Sequence, residues 1–362
     1  MKMEKIAIMA IITIVLSAGT CLAAEEYAKD LAASAQSGEI ENNASNTTLP
    51  QYNNTTSYIL NDAHCHYVNF TQGSEGMQAL LNAMNSSNVD QIVLFGLPVT
   101  KKWDDEDLQK PNYYDDDDSE TYYYSMTDVI VARSILNLSA DQRKRIHPFI
   151  CGFNPTDKNS VNHIKLMRSM YPGLWEGIGE IFARHNELTR LTPGETTRAN
   201  DPSLDEIYDY AASVGLPIWI HNDIGTTSLR DPIYLHEISS AVSKHPDTRF
   251  VWCHAGQGRN LNITTLRSDV DGMLGRNKNL WVDISWLVYD TVIAPEGKLK
   301  DEWVTLIEKY PDRFMIGSDK TGSFGAAYYR EISKYKPLLR VLRPATARNL
   351  AHDNLARVLK GS

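Results

Sequence analysis

Long apolar runs and cysteines are both scarce in this 362-residue chain. After the first two dozen residues no stretch is long and apolar enough to cross a bilayer, which takes about 20 residues of helix. The sequence therefore predicts no transmembrane segment in a mature protein. The four cysteines, Cys21, Cys65, Cys151 and Cys253, do not suggest a disulfide framework, because loss of a leader would leave an odd number. Basic charge is in deficit. With 36 Lys and Arg against 45 Asp and Glu, the net charge of −9 gives no overall field to attract a phosphate backbone, and no nucleic-acid partner is expected. Self-similar repeats are absent. What is present, 42% hydrophobic and 22% charged residues, is the composition of a folded globular protein.

The N-terminus has the order of a secretory signal. Lys2 and Lys5 precede the apolar run Ile6 to Ala18, and small residues continue to Ala24. Residues 1–24 are expected to be a signal peptide and the protein to be exported (secreted, periplasmic or cell-surface). An uncleaved anchor is the alternative. Ala18-Gly19-Thr20 before Cys21 matches a lipobox poorly. Residues 25–56 read as a flexible linker, rich in Ala, Ser, Asn and Thr. Asn43, Asn46, Asn53 and Asn54 each open an N-x-S/T pattern, which agrees with export.

From residue 57 a rhythm sets in. Eight short apolar runs are strand candidates: Ser57–Val68, Gln91–Leu97, Ile146–Phe153, Trp175–Ile181, Pro217–Asn222, Phe250–His254, Leu280–Ser285 and Arg313–Asp319. Amphipathic stretches lie between them, clearest at Leu204–Val214 and Leu235–Lys244, and Ala345–Leu359 reads as a closing helix. Strand–helix alternation predicts α/β architecture with a parallel sheet. Eight units over residues 57–362 predict a single-domain (β/α)₈ TIM barrel, for which about 250 residues is typical. The acidic, Tyr-rich insertion 101–124 breaks the rhythm after the second strand. It reads as a solvated loop, or as a lid that places Trp103 and tyrosines beside a substrate. Its carboxylates match no defined calcium-loop spacing.

Five strand ends finish in metal-ligand residue types: His64-Cys65-His66, Glu180, His221, His254 and Asp319. Histidines two apart on a strand project from one face, and the C-terminal ends of barrel strands converge where the active sites of this architecture lie. By the same alternation Cys65 and Cys253, each beside a histidine, are expected to face the outer helices. His147 starts a strand and is assigned to the structural end. His163, His185, His236, His245 and His352 are read as surface or capping residues. Four imidazoles and two carboxylates buried together are costly without a cation, so a divalent metal is expected. Nitrogen and oxygen donors suit zinc, manganese or iron.

This order resembles the amidohydrolase superfamily, nearest to its amidohydrolase-2 branch, with a strand-four Glu also similar to the TatD-type and phosphotriesterase-like groups. The resemblance runs from about Ile59 to Leu359 and includes Gly179-Glu180-Ile181, Gly317-Ser318-Asp319 and Asn349-Leu350-Ala351. It implies that His64, His66 and Asp319 hold one metal, that Glu180 bridges to a second, and that His221 and His254 ligate the second. In mononuclear members the strand-five His binds the single ion and the strand-six His is catalytic. The chain departs from phosphotriesterases in carrying Glu180 where they have a carbamylated Lys, and from many amidohydrolase-2 members in Lys320 and Thr321.

The chemistry expected is hydrolysis of an ester, lactone, amide or phosphoester, with Asp319 as general base and then acid, and with His254 or the metal polarising the substrate oxygen. A metal-dependent decarboxylase or hydratase is the alternative enzyme. An inert exported binding protein is the alternative outside enzymology. Substrate contacts are assigned to Arg184, Trp286 and Lys320 in the loops, with Asn222 and Asp223 nearby; for Arg184 and Lys320 a surface ion pair is the competing role. The partner is a small molecule, and a homo-oligomer is compatible with the sequence.

Overall fold

The computed structural model describes residues 57–103 and 119–361. The leader, the linker with its four Asn patterns, Cys21 and the acidic runs at 104–107 and 115–118 lie outside the described residues.

The chain builds a closed parallel barrel. Strand β1 (Leu60–His66) pairs with β2 (Val89–Phe95). β3 (Val99–Lys101) and β4 (Thr121–Tyr123) form a separate antiparallel ribbon at the base of the insertion, where Trp103 is exposed. The barrel resumes with β5 (Ile146–Ile150), β6 (Gly177–Phe182), β7 (Ile218–His221), β8 (Phe250–Trp252) and β9 (Leu280–Asp283). The eighth strand comes in two pieces, β10 (Phe314–Met315) on β9 and β11 (Lys320–Thr321) on β1, and this closes the ring. All eight strand runs read from the sequence fall on these strands.

Helices between the strands bury one stripe each. Met77–Ser86 buries Met77, Leu80, Leu81 and Met84, the spacing of one helical face. Pro202–Ser213 begins two residues before the Leu204 read from the sequence, where Asp201 accepts the Ser203 backbone N–H and Pro202 supplies a preset φ. Leu235–Lys244 matches its expected bounds.

Two packed layers follow from strand alternation. On β7, Ile218 and Ile220 face the helices while Trp219 points inward. The barrel interior holds Ala63, Val93, Phe95, Phe149, Cys151, Trp219, Val251 and Met315. Phe149 meets Phe95 and Trp219 edge to face, with centroids 5.5 and 4.8 Å apart. β6 makes room for these rings by carrying glycines: a Cβ on Gly177 would lie 2.2 Å from the Phe149 ring, and one on Gly179 would lie 2.3 Å from the Trp219 carbonyl oxygen. Leu355 and Val358 of the closing helix Asn354–Lys360 join the same cluster. Asn354 donates to the carbonyls of Pro311 and Phe314 at the start of β10, so this helix covers the N-terminal end of the barrel.

The candidate metal centre

At the opposite end the strands stop being regular. The β1–β2 pairing slips between Asp62 and Cys65, which lets Ala63 and His64 both turn inward. The β6–β7 pairing slips between Ile178 and Ile181, around Glu180. His254, Trp286 and Asp319 have φ of 55°, 59° and 47°, left-handed values that each cost a non-glycine residue roughly 1–3 kcal/mol. Asp319 is held there by its backbone N–H, which donates to the His64 carbonyl at 2.7 Å. Gly317 lets the eighth strand lie close, since a Cβ on it would come 2.8 Å from the His64 Cβ.

All six residues expected to be ligands meet in one buried cluster. Glu180 sits at its centre. Its Oε2 is 3.4 Å from His64 Nε2 and 3.2 Å from His66 Nε2. Its Oε1 is 3.1 Å from His221 Nδ1 and 3.4 Å from His254 Nε2. Asp319 Oδ1 lies 3.4 and 3.5 Å from His64 and His66 Nε2, and its Oδ2 is 4.0 Å from His254 Nε2.

In each imidazole the second ring nitrogen is occupied. His64 Nδ1 donates to Asp283 at 2.6 Å, His66 Nδ1 to the Gly96 carbonyl at 2.7 Å, and His221 Nε2 to Asp223 at 2.9 Å. His254 Nδ1 lies 3.3 Å from the Ser285 carbonyl and 3.0 Å from its hydroxyl. An N–H donated on one side leaves a lone pair on the other, and in all four rings that lone pair faces the Glu180 carboxylate.

The donor set fits a divalent ion. Metal–ligand bonds of about 2.1 Å in a tetrahedral site imply ligand-to-ligand edges of about 3.4 Å. His64 Nε2 and His66 Nε2 are 3.3 Å apart, and their distances to Glu180 Oε2 and Asp319 Oδ1 span 3.2–3.5 Å. Glu180, His221 and His254 form a second group whose ligand atoms all lie within 4.8 Å of one another.

Electrostatics give the same account. Burial pushes His66 down, yet hydrogen bonds to Asp319 and Glu180 carry it up to about 9. Burial likewise lowers His221, and Asp223 with Glu180 brings it up to about 10. Burial acts against protonation of His64 too, but Glu180, Asp283 and Asp319 hold it well above the usual imidazole value. Glu180 and Asp319 are pushed up by burial and brought below the usual carboxylate range by the histidines. Without metal the cluster therefore holds protons, the positive charge its buried carboxylates require.

The mouth above the cluster is lined by Phe70, Leu97, Phe182, His185, Leu188, Trp286 and Thr321 together with His66, Glu180, His221, His254 and Asp319. Trp286 stands there as the sequence suggested, its ring 5.0 Å from that of His254. Arg184 and Lys320 are not brought to it. Arg184 forms a two-pronged pair with Glu237, at 2.6 and 2.9 Å, and lies over the Tyr234 ring. Trp103 and Tyr122, suggested as lid residues, are exposed and line no part of it.

Two expectations need correction. Cys65 faces the helix layer as alternation requires, but Cys253 is in the barrel interior, with Sγ in ligand range of His64 and Glu180. Val251 and Cys253 are the inward pair of the sixth strand, and His254 reaches the site only because the chain leaves that strand in a left-handed turn. Burial pushes the Cys253 thiol well up, so it remains protonated. His185, read as a surface residue, is buried and stacks on His221 with centroids 4.1 Å apart. Burial, with the His221 charge, lowers it to about 3. Asp283 escaped the sequence reading altogether, although it closes its strand as the other site residues do.

The amidohydrolase family model matches residues 182–361, the part holding β7 to β11 and the closing helix. No curated protein matches the chain. Solved structures share its fold at low identity. An amidohydrolase from Burkholderia multivorans with bound zinc aligns at 11% identity and a TM-score of 0.51, over 83% of this chain and 99% of that one. A dihydroorotase from Campylobacter jejuni aligns at 13% and 0.50, over 83% and 82%. A TIM-barrel protein from Bordetella bronchiseptica aligns at 12% and 0.50, over 79% and 84%.

Proposed function

We propose that the chain, whose residues 182–361 match the amidohydrolase family model, is a hydrolase of that superfamily that uses two divalent ions, zinc in the first instance, to cleave an ester, lactone, amide or phosphoester. The observation that carries this reading is the position of Glu180 between two pairs of imidazoles, each with its remaining nitrogen fixed. A carboxylate placed so favours a two-ion hydrolase over a one-ion decarboxylase or hydratase. His64, His66 and Asp319 would hold one ion, His221 and His254 the other, and Glu180 would bridge them. Zinc is held by the Burkholderia amidohydrolase of like fold; manganese or iron suits the same donors.

Bound ions of this kind supply a water acidic enough to react near neutral pH and a positive charge facing the substrate oxygen. The chain's own residues do the rest. Asp319 Oδ2, turned away from His64 and His66, accepts the water's proton and returns it to the leaving group. Asp283, Asp223 and the Gly96 carbonyl keep the imidazoles oriented. Trp286, Phe182 and Phe70 keep bulk water from the mouth. The signal-like segment 1–24 is the ground for proposing export.

The test is turnover by the zinc-loaded chain on aryl esters, lactones, an anilide and a phosphotriester, beside decarboxylation of aromatic acids. Hydrolysis that falls by about 10³-fold or more in Asp319→Asn is the expected result. Carbon dioxide release without hydrolysis, or full activity in that variant, contradicts the reading.

A further inference from the structure

We propose that His185 is a substrate-binding residue, its Nε2–H donating to an oxygen of an uncharged ester or lactone whose apolar part rests on Phe70, Phe182 and Trp286. This rests on the hydrolase reading and adds to it the class of substrate.

The backbone of His185 is clamped. Its N–H donates to the Thr189 hydroxyl at 3.1 Å, and its carbonyl accepts both the Thr189 N–H and hydroxyl. The ring is equally fixed. It stacks on His221 at an interplanar angle of 17° and meets the Phe182 and Trp286 rings at 5.2 and 6.0 Å. Nδ1 faces the backbone N–H groups of Glu187 and Leu188, both at 3.4 Å. A nitrogen that accepts carries no proton, so a neutral ring has its proton on Nε2. No hydrogen bond from a described residue reaches Nε2, and His185 lines the mouth.

The walls define what the donor meets. The described lining residues other than the ligand cluster and His185 are Phe70, Leu97, Phe182, Leu188, Trp286 and Thr321, and none is Lys or Arg. The cations around it are each paired with a carboxylate: Arg184 with Glu237, Arg259, which lies over the Trp286 ring, with Glu187, and Lys334, which donates to the Trp286 carbonyl, with Asp290 and Glu331. Among the described lining residues a substrate carboxylate or phosphate would find no counter-charge beyond the metal centre, whereas an apolar group bearing a hydrogen-bond acceptor is matched by aromatic walls and one neutral donor.

The experiment compares the full-length, zinc-loaded chain with His185→Ala and His185→Gln, using dihydrocoumarin as a neutral aromatic lactone and p-nitrophenyl acetate as a neutral ester. Zinc per chain stays unchanged in both variants. His185→Ala loses roughly tenfold to hundredfold in kcat/KM, and His185→Gln, whose amide N–H can reach the same position, regains at least threefold of that loss. Because His185, His221 and Asp223 have ligand atoms within 4.8 Å of one another, zinc loss in His185→Ala would make His185 a ligand and overturn the proposal. Activity within threefold of wild type in His185→Ala, or no recovery in His185→Gln, also overturns it. Were the unaltered chain inert on both probes, the ester and lactone part of the hydrolase reading would fail. ¹⁵N spectra of its imidazoles would then decide the role of His185. A neutral Nε2–H tautomer at pH 7.5 that shifts on adding dihydrocoumarin supports it, and an Nδ1–H tautomer or an unmoved signal overturns it.

Discussion

The two ends of the barrel follow different rules. Towards the N-terminal end the barrel interior is filled by apolar side chains, and Leu355 and Val358 of the closing helix complete the packing. At the C-terminal end the pairing slips around the ligand residues, His254, Ala255, Trp286 and Asp319 take left-handed backbone, and imidazoles and carboxylates lie within 4.0 Å of one another. The first end contributes stability through burial and tolerates any residues of suitable volume. The second tolerates strain because the ligands, and the groups that orient them, must converge on points fixed to a few tenths of an ångström.

Substitutions at the two ends should therefore separate metal binding from stability. Glu180→Gln removes the shared carboxylate and is expected to have the largest effect: bound zinc falls to one ion or fewer per chain, and turnover drops by about 10²-fold or more. Elemental analysis that still finds two ions would break the contrast at its centre. Leu355→Ala, at the far end, should cost about 2–4 kcal/mol by denaturant unfolding and leave zinc content and kcat alone; altered zinc content would mean that the ends are not independent. Asp283→Asn leaves the fold intact but loosens the hold on His64, so zinc affinity should fall about 10–100-fold in competition with a chelator. The smallest effect is on pH dependence. In the metal-free chain His66 and His221 are raised to about 9 and 10, above an unfolded value near 6.5. Their contribution is fully present below about pH 6.5 and is lost as pH rises through 9 and 10. Tm of the stripped protein should decline over that window by more than Tm of the zinc-loaded protein, whose imidazoles are already neutral. Parallel curves would contradict the protonated cluster.

The same contrast explains what the sequence could convey. Period-two and period-3.6 patterns are properties of regular segments, so every barrel strand and Leu235–Lys244 were legible to within a few residues. The ligand types at strand ends were legible because strand ends in a barrel converge whatever the detail of the loops. Alternation misplaces Cys253 because it was counted from His254, which reaches the site on a left-handed turn rather than in the strand. His185 lies in a loop, where no periodicity reveals burial, and its stacking on His221 depends on a turn closed by Thr189. Asp283 did carry a signal: it ends the seventh strand where the other strands end in His, Glu or Asp. Arg184 shows the limit of residue type as a guide, since its partner Glu237 comes from a helix that no local pattern connects to it.

The central claim is that Glu180 stands between two ions. Anomalous diffraction at the zinc edge from crystals of the loaded protein tests it directly. Two peaks are predicted, one among His64, His66 and Asp319 and one between His221 and His254, with the Glu180 carboxylate touching both. A single peak that Glu180 does not touch, or none after full loading, would contradict it.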